Sequence, residues 1–312
     1  MSDFVISTDA CYDLPDYFME RYEIPVVPMP YSLNIPEGDG LLDKIKKDYK
    51  RVDYRSDTSG FLGNMKGFFD TLRKGAVPIT SQANAHDTAA VLEPILKAGN
   101  DVLHISFSSG MSGSYNSACI AVAELAEKYP DRKIYAVDSL SGAAGLGLCV
   151  IDAVKCREDG KTIEETRDYI NGYKTRYHHY FTVGDNGFIA RSGRISSFQY
   201  MFTALLNITI ILGIDGEGRV YPAAKVRGKK NVYKKFLELL EENKDGDSVN
   251  EIILSHGDNP VEIKLLGSMI TEALPEVKKI DYTFVNQLVG CNSGPDSLAL
   301  FFRGKPRTAH KK

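Results

Sequence analysis

Asp101-Val102-Leu103-His104-Ile105-Ser106-Phe107-Ser108-Ser109-Gly110-Met111-Ser112-Gly113-Ser114-Tyr115-Asn116-Ser117-Ala118 decides how this chain is read. An apolar, β-forming run gives way to a Ser/Gly turn, and the turn to Cys119-Ile120-Ala121-Val122-Ala123-Glu124-Leu125-Ala126. The order is strand, loop, helix. The first turn of a helix carries N–H groups with no partner inside the helix, and the aligned peptide dipoles add partial positive charge there. Loop hydroxyls gathered at such an end suit a carboxylate or a phosphate. The same residues also serve ordinary capping, because Ser and Asn are favoured N-caps, so the stretch alone leaves both uses open.

The same rhythm runs outward on both sides. Phe4-Val5-Ile6 reads as a strand, Thr8 to Asp13 as a polar turn, and Leu14 to Tyr22 as a helix with Asp13 at its N-cap and Pro15 in its first turn. Val26-Val27-Pro28 follows. An irregular excursion near 34–75 is expected next, charged and Gly-rich from Asn34 to Arg55, with a helix over Asn64 to Arg73. Val77-Pro78-Ile79-Thr80-Ser81-Gln82 leads into a helix over Thr88 to Lys97. Lys133 to Ser139 is a strand, followed by a Gly-rich helix from Ala143 to Asp159. Strands that alternate with helices build a parallel sheet covered on both faces, with ligands beyond the carboxyl ends of the strands. Thr8, Thr80, Ser108, Ser112 and Asp138 all fall at such ends, so Thr80 and Ser112 are expected to converge from one sheet.

Thr162-Ile163-Glu164-Glu165 is a capping box that opens a further helix, and the rhythm changes beyond it. Tyr180 to Val183 is strand-like, Ser197 to Leu206 an apolar helix, and Ile208 to Ile214 runs through the turn Asp215-Gly216-Glu217-Gly218 into Arg219 to Pro222. Helices over Asn231 to Glu242 and Val261 to Leu274, and strands over Glu251 to Leu254, Ile280 to Asn286 and Leu298 to Phe302, complete a mixed sheet. The fold class is α/β: an N-terminal Rossmann-like parallel-sheet domain over 1–175 and a C-terminal mixed-sheet α/β domain over 176–312. The basic tail from Lys305 to Lys312 reads as a frayed end.

Composition narrows the function. The chain is 43% hydrophobic and 25% charged, and its 38 basic and 41 acidic residues give a net charge of -3, which does not suit nucleic acid as main partner. The start lacks the basic and long apolar regions of a signal peptide, and no later segment reaches membrane-spanning length, so a cytoplasmic protein is expected. Five scattered cysteines without a CxxC pair make neither a disulfide framework nor a recognisable zinc site. His178-His179 in a strand would point its rings to opposite faces, which suits core or surface better than a metal. No phosphate-binding GxxxxGK[ST], GxSxG or HExxH motif is present. Gly142-Ala143-Ala144-Gly145-Leu146-Gly147 fits close packing of helix on sheet better than a nucleotide loop. Asp138 could orient a ligand or bind backbone N–H groups in its own turn.

The ordered set Thr80-Ser81-Gln82, Ser108 to Ala118, Val137-Asp138-Ser139, Gly193-Arg194-Ile195-Ser196, Lys225-Val226-Arg227-Gly228 and Gly294-Pro295 resembles the DegV family of bacterial fatty-acid-binding proteins, from Ser7-Thr8-Asp9 to Phe301-Phe302. The resemblance implies one long-chain fatty acid held between the two domains. It also implies a non-catalytic subunit that offers the carboxylate to a separate ATP-binding fatty acid kinase subunit, which makes acyl phosphate for phospholipid synthesis. No cofactor or metal is implied. Thr80 and Ser112 match the hydroxyls that hold the carboxylate, flanked by Ser81 and by Gly113 at the helix start. Asn292 stands where the family has a histidine, and Asp296 where its Gly-Pro-Gly motif ends. An asparagine donates a hydrogen bond without carrying charge, so a looser hold on the anion or a different head group is expected. Arg194 and Arg227, each in a Gly-containing polar turn, are expected to dock the kinase subunit or steady the transferred phosphate. Phe107, Met111, Ile189, Met201, Phe202, Leu205 and Leu206 are candidate tunnel walls, and each also reads as plain core. The alternative function is a phosphotransferase or hydrolase that uses Asp138 and the serines on a small anion, but neither serine motif contains a base to activate a nucleophile.

Overall fold

The computed structural model describes residues 4–37, 49–56, 64–194 and 208–310. The first half runs β1 (Phe4–Asp9), α1 (Asp16–Tyr22), β2 (Val26–Val27), β3 (Pro30–Pro36), β4 (Tyr49–Arg55), α2 (Met65–Arg73), β5 (Val77–Thr80), α3 (Ala85–Lys97), β6 (Asp101–Ser106), α4 (Ser114–Lys128), β7 (Ile134–Asp138), α5 (Ala143–Glu158) and α6 (Ile163–Tyr173). The second runs β8 (Tyr177–Phe181), α7 (Asn186–Arg191), β9 (Ile208–Ile214), β10 (Val220–Arg227), α8 (Lys229–Asn243), β11 (Glu251–His256), α9 (Pro260–Ala273), β12 (Lys279–Phe284), α10 (Gln287–Ser293) and β13 (Leu298–Arg303).

The parallel sheet has the order β2-β1-β6-β7, and the mixed sheet the order β10-β9-β8-β13-β11-β12. Helix α5 lies between them. Twelve of its sixteen residues are buried, an all-round burial expected of a helix with a sheet on either side. Its small residues let both sheets approach closely: a Cβ on Gly145 would overlap the His179 ring of β8. One hydrophobic cluster therefore runs from Phe4, Ile6 and Ile105 through Leu146 and Val150 to Ile253 and Phe301.

Four sequence expectations are corrected here. The excursion is ordered over β3 and β4, which pair antiparallel from Pro30↔Arg55 to Pro36↔Tyr49. Strand β5 joins this small sheet through Tyr31↔Thr80 rather than the parallel one, so Thr80 and Ser112 end strands of different sheets. Asp13 does not cap α1, whose N-cap is Pro15; its Oδ1 instead accepts from the Asn286 backbone N–H (3.0 Å) and Nδ2 (2.6 Å) across the two halves. The tail is not frayed through His310, because Arg307 is buried and donates to the carbonyls of Thr175 (3.1 Å), Ile214 (3.1 Å), Leu140 (2.9 Å) and Lys174 (3.0 Å). The predicted capping box is present, with Thr162 Oγ1 accepting from Glu165 N–H and the Glu165 carboxylate from Thr162 N–H. The apolar segment Ser197 to Leu206 lies outside the described residues.

Candidate binding cavity

The loop after β6 is held by polar groups of the strands and turns around it. Asp9, at the end of β1, accepts from Ser106 Oγ (2.6 Å) and from the Phe107 N–H (2.8 Å), which fixes the chain as it leaves the sheet. Asp138, at the end of β7, accepts from the N–H groups of Ser109 and Leu140 (both 3.1 Å). Its Oδ1 thus holds two turns together. Ser108 Oγ donates to Gly218 O (2.8 Å), tying the loop to the β9–β10 turn.

The Thr80-Ser81-Gln82 segment reaches this loop through its far end. Gln82 Nε2 donates to Ser117 Oγ (3.1 Å), and the Ala83 N–H to Ser114 Oγ (3.2 Å). Gly113 leaves room for this approach, because a Cβ there would overlap the Gln82 amide and push it aside. Gly113 is also the N-cap of α4 and offers no side chain. The Ser112 hydroxyl lies 2.9 Å from Ser114 Oγ and accepts from the Ser114 N–H (3.3 Å), so it stands at the positive end of a fifteen-residue helix.

These elements wall two adjoining chambers. The first, a cavity of about 90 Å³, is lined by Thr80, Ser81, Ser112, Arg194 and Asn292 on its polar side and by Met29, Ile189 and Leu288 among its apolar residues. The second, of about 80 Å³, lies deeper between the sheets, against Ala143, Phe181, Ile214, Val285 and Phe301 among others. Phe107, Met111, Phe181, Val289 and Ser293 belong to both walls, so one partition of side chains separates the chambers. The hydroxyls beside the deeper one are already used: Thr182 Oγ1 accepts from the Leu298 N–H (3.3 Å), and Ser297 Oγ donates to Gly294 O (3.1 Å). His179 is buried and neutral, its pKa driven well below the usual value by desolvation.

Among the described residues that line the outer chamber Arg194 alone is charged, and burial there also pushes the Cys11 thiol up and keeps it protonated. The guanidinium donates to Met111 O (3.3 Å), Ser192 O (3.0 Å) and Asn292 Oδ1 (3.1 Å). Asn292 Nδ2 donates to Leu288 O (2.9 Å), so this asparagine positions the arginine with its oxygen while its amide is held by α10. Asp296 sits at φ 63°, a backbone position that favours glycine, and its carboxylate accepts from Arg73 (3.0 Å).

Five of the sequence-selected residues, Thr80, Ser81, Ser112, Arg194 and Asn292, thus meet at one chamber, with Gly113 supporting them from behind. Phe107, Met111 and Ile189 are wall residues, whereas Met201, Phe202, Leu205 and Leu206 lie outside the described residues. Arg227 stands apart: it ends strand β10 rather than occupying a turn, and it is exposed and lines neither chamber. Sequence reasoning missed helix α10, which contributes Leu288, Val289, Asn292 and Ser293. Its signal was present, because Asn286 caps the helix by accepting from the Val289 N–H (3.0 Å) directly before an apolar pair.

No cluster of three metal-ligating side chains occurs among the described residues, and none of their helices is long and apolar enough to cross a membrane. A Ser-His-Asp row is present, with Ser7 Oγ 3.0 Å from His104 Nδ1 and His104 Nε2 3.3 Å from Asp9 Oδ1. It is fully buried in the parallel sheet and borders neither chamber.

Fold and cavity together define a class: α/β proteins with a polar-headed, apolar-tailed cavity between two sheets. Residues 3–305 match the model of the DegV family, described as uncharacterised, and the chain belongs to that family. A DegV domain-containing protein of Clostridium perfringens is 33% identical over 97% of this chain and 98% of its own length. Among solved structures, a DegV lipid-binding protein from Thermotoga maritima is 24% identical with a TM-score of 0.80, covering 99% of this chain and 100% of the other. A DegV family protein from Thermus thermophilus, described as fatty-acid binding, is 23% identical with a TM-score of 0.79, covering 97% and 99%. A stearic acid-binding protein from Eubacterium ventriosum is 20% identical with a TM-score of 0.79, covering 96% and 98%.

Proposed function

We propose that this chain is a non-catalytic carrier that binds one long-chain fatty acid and presents its carboxylate to a separate ATP-binding kinase subunit in the cytoplasm. The observation that carries the reading is the adjacency of the two chambers. One is walled on a side by hydroxyls, an amide and a guanidinium, and the other by carbon. Each methylene removed from water is worth about 0.8 kcal/mol, so a long acyl tail brings on the order of 10 kcal/mol of gross driving force into the deeper chamber. A buried carboxylate costs several kcal/mol unless donors meet it. Thr80, Ser81 and Ser112, the start of α4 behind Gly113, and Arg194 held by Asn292 are the donors assigned to it. The relatives described as fatty-acid binding support this assignment.

The kinase subunit enters through the resemblance and through charge. Arg227 is exposed with Lys225 on the edge strand β10, outside the cavity, and is assigned to partner docking. Arg194 is assigned first to the head group and, through it, to the phosphate as it arrives. The division into two domains is placed near residue 175, at the short turn Lys174–Arg176 between α6 and β8. The chain alone should bind a long-chain fatty acid one-to-one and consume no ATP, and acyl phosphate should form only when the ATP-binding subunit is added. In that assay Arg227→Ala should keep ligand binding and lose acyl phosphate formation. ATP turnover by the isolated chain would replace the carrier reading with an enzymatic one.

A further inference from the structure

We propose that Gly142 sets how far an acyl chain can run into the protein, by leaving room for the edge of the Phe107 ring in the wall that the two chambers share. This inference rests on the fatty-acid reading above. Phe107 is one of the five residues that wall both chambers, so the position of its ring bears on whether a chain can run from one into the other. The Cε2 edge of the ring points at Gly142: a Cβ there would overlap Cε2 and stand 3.1 Å from Cδ2 and Cζ, inside ordinary carbon contact at about 3.5–4.0 Å. Gly142 itself has extended backbone, φ −155° and ψ 173°, which any residue adopts. What glycine supplies at this position is room, not conformation.

The loop that carries Gly142 cannot move aside. Ser141 O accepts from the Ser108 N–H (2.9 Å), the Ala143 N–H donates to Cys11 O (2.9 Å), the Gly142 N–H to His179 Nε2 (3.4 Å), and Arg307 holds Leu140 O (2.9 Å). These bonds keep Leu140 and Ala143 at positive φ, 49° and 51°, on either side of the glycine. The Phe107 backbone is equally fixed by Asp9, which accepts its N–H at 2.8 Å. A methyl group on residue 142 therefore has one outlet: it turns the Phe107 ring toward the chambers. The deeper chamber then closes to a tail while the polar chamber keeps all its donors.

The test is the dissociation constant of a series of saturated fatty acids, octanoic to eicosanoic, for the full chain and its Gly142→Ala variant. Gly142→Ala should weaken the longest members by at least about tenfold and leave the shortest within about twofold. Adding Phe107→Leu to that variant should restore the long chains. Phe107→Leu alone thins the shared wall without touching the loop and should shift the preference to a longer or branched chain, which keeps the proposal testable if Gly142→Ala fails to fold. An equal loss at every chain length, or an unchanged length preference in both single variants, would overturn the assignment of Gly142. If the unmodified chain binds no member of the series, the fatty-acid reading itself fails and this inference with it.

Discussion

The outer and the deeper chamber are built by opposite strategies. The outer one is made by loops whose polar side chains hold one another, as Ser112 with Ser114, Gln82 with Ser117 and Arg194 with Asn292, so its donors are already oriented when a ligand arrives. The deeper one is made by the ends of β8 and β13 and by the loop from Ser139 to Ala143, with its polar groups turned back onto backbone. Its shape depends on ionisable groups buried behind it, Arg307 and Asp13. Substitutions in the outer chamber should therefore change binding and spare the fold, whereas those behind the deeper chamber should change the fold first.

The largest effect is expected at Arg307. Among the described residues its guanidinium makes no ion pair and is satisfied by four carbonyls, one of them that of Ile214, which lines the deeper chamber; burial pulls its pKa down to about 10. Arg307→Ala leaves those acceptors unpaired and should cost about 3–5 kcal/mol in denaturant unfolding. A loss below about 1 kcal/mol would mean that water replaces the side chain, and the contrast between the chambers would weaken.

Asp13 comes next. Burial raises its carboxyl from 3.8 to about 7, opposed only in part by the two donors of Asn286, and Val285 and Val289 on either side of that asparagine line the deeper chamber. The folded state binds this proton more tightly than the unfolded chain. Its contribution to stability is therefore full below about pH 4 and is lost as pH rises through about 7, by about 4 kcal/mol at most. Asp13→Asn should flatten the pH dependence of the unfolding midpoint across that window; an unchanged slope would assign the dependence elsewhere.

In the outer chamber, Ser112→Ala should lower fatty acid affinity by about 1.5–3 kcal/mol, the range for a hydrogen bond to a charged group, with little change in melting temperature. Thr80→Ala should act in the same direction, and calorimetry that finds both variants at wild-type affinity would reject the head-group assignment. Asn292→His is the smallest expected effect. It frees Arg194 from its amide acceptor and adds a group that can carry charge, so a carboxylate should bind tighter by up to about 1 kcal/mol. Weaker binding would mean that Asn292 suits a different head group.

The outer chamber was largely legible in the sequence, and the deeper one was not. A Ser/Gly turn between an apolar run and a helix suits an anion as well as ordinary capping, and the resemblance to the DegV motifs decided between the two, so Thr80, Ser112 and Gly113 could be picked out as residues, although the sheet that carries Thr80 could not. Strand β5 holds Pro78, which suits an edge of the small antiparallel sheet, and nothing local shows that its partner is β3. The deeper chamber is made of residues such as Phe181, Val285 and Phe301, which look like any core position until the two sheets are placed on either side of α5. Arg194 and Arg227 looked alike in sequence, each beside a glycine. The first is drawn inward by Asn292, a partner 98 residues away, and the second is left outside on an edge strand.

The central claim is that the paired chambers hold a fatty acid. Mass spectrometry of an organic extract of the protein as purified tests it most directly. The account predicts one long-chain fatty acid in roughly one-to-one amount with the chain, because about 0.8 kcal/mol per buried methylene keeps such a cavity filled wherever lipid is present. An extract without any acyl chain, together with no binding when fatty acid is added back, would contradict it.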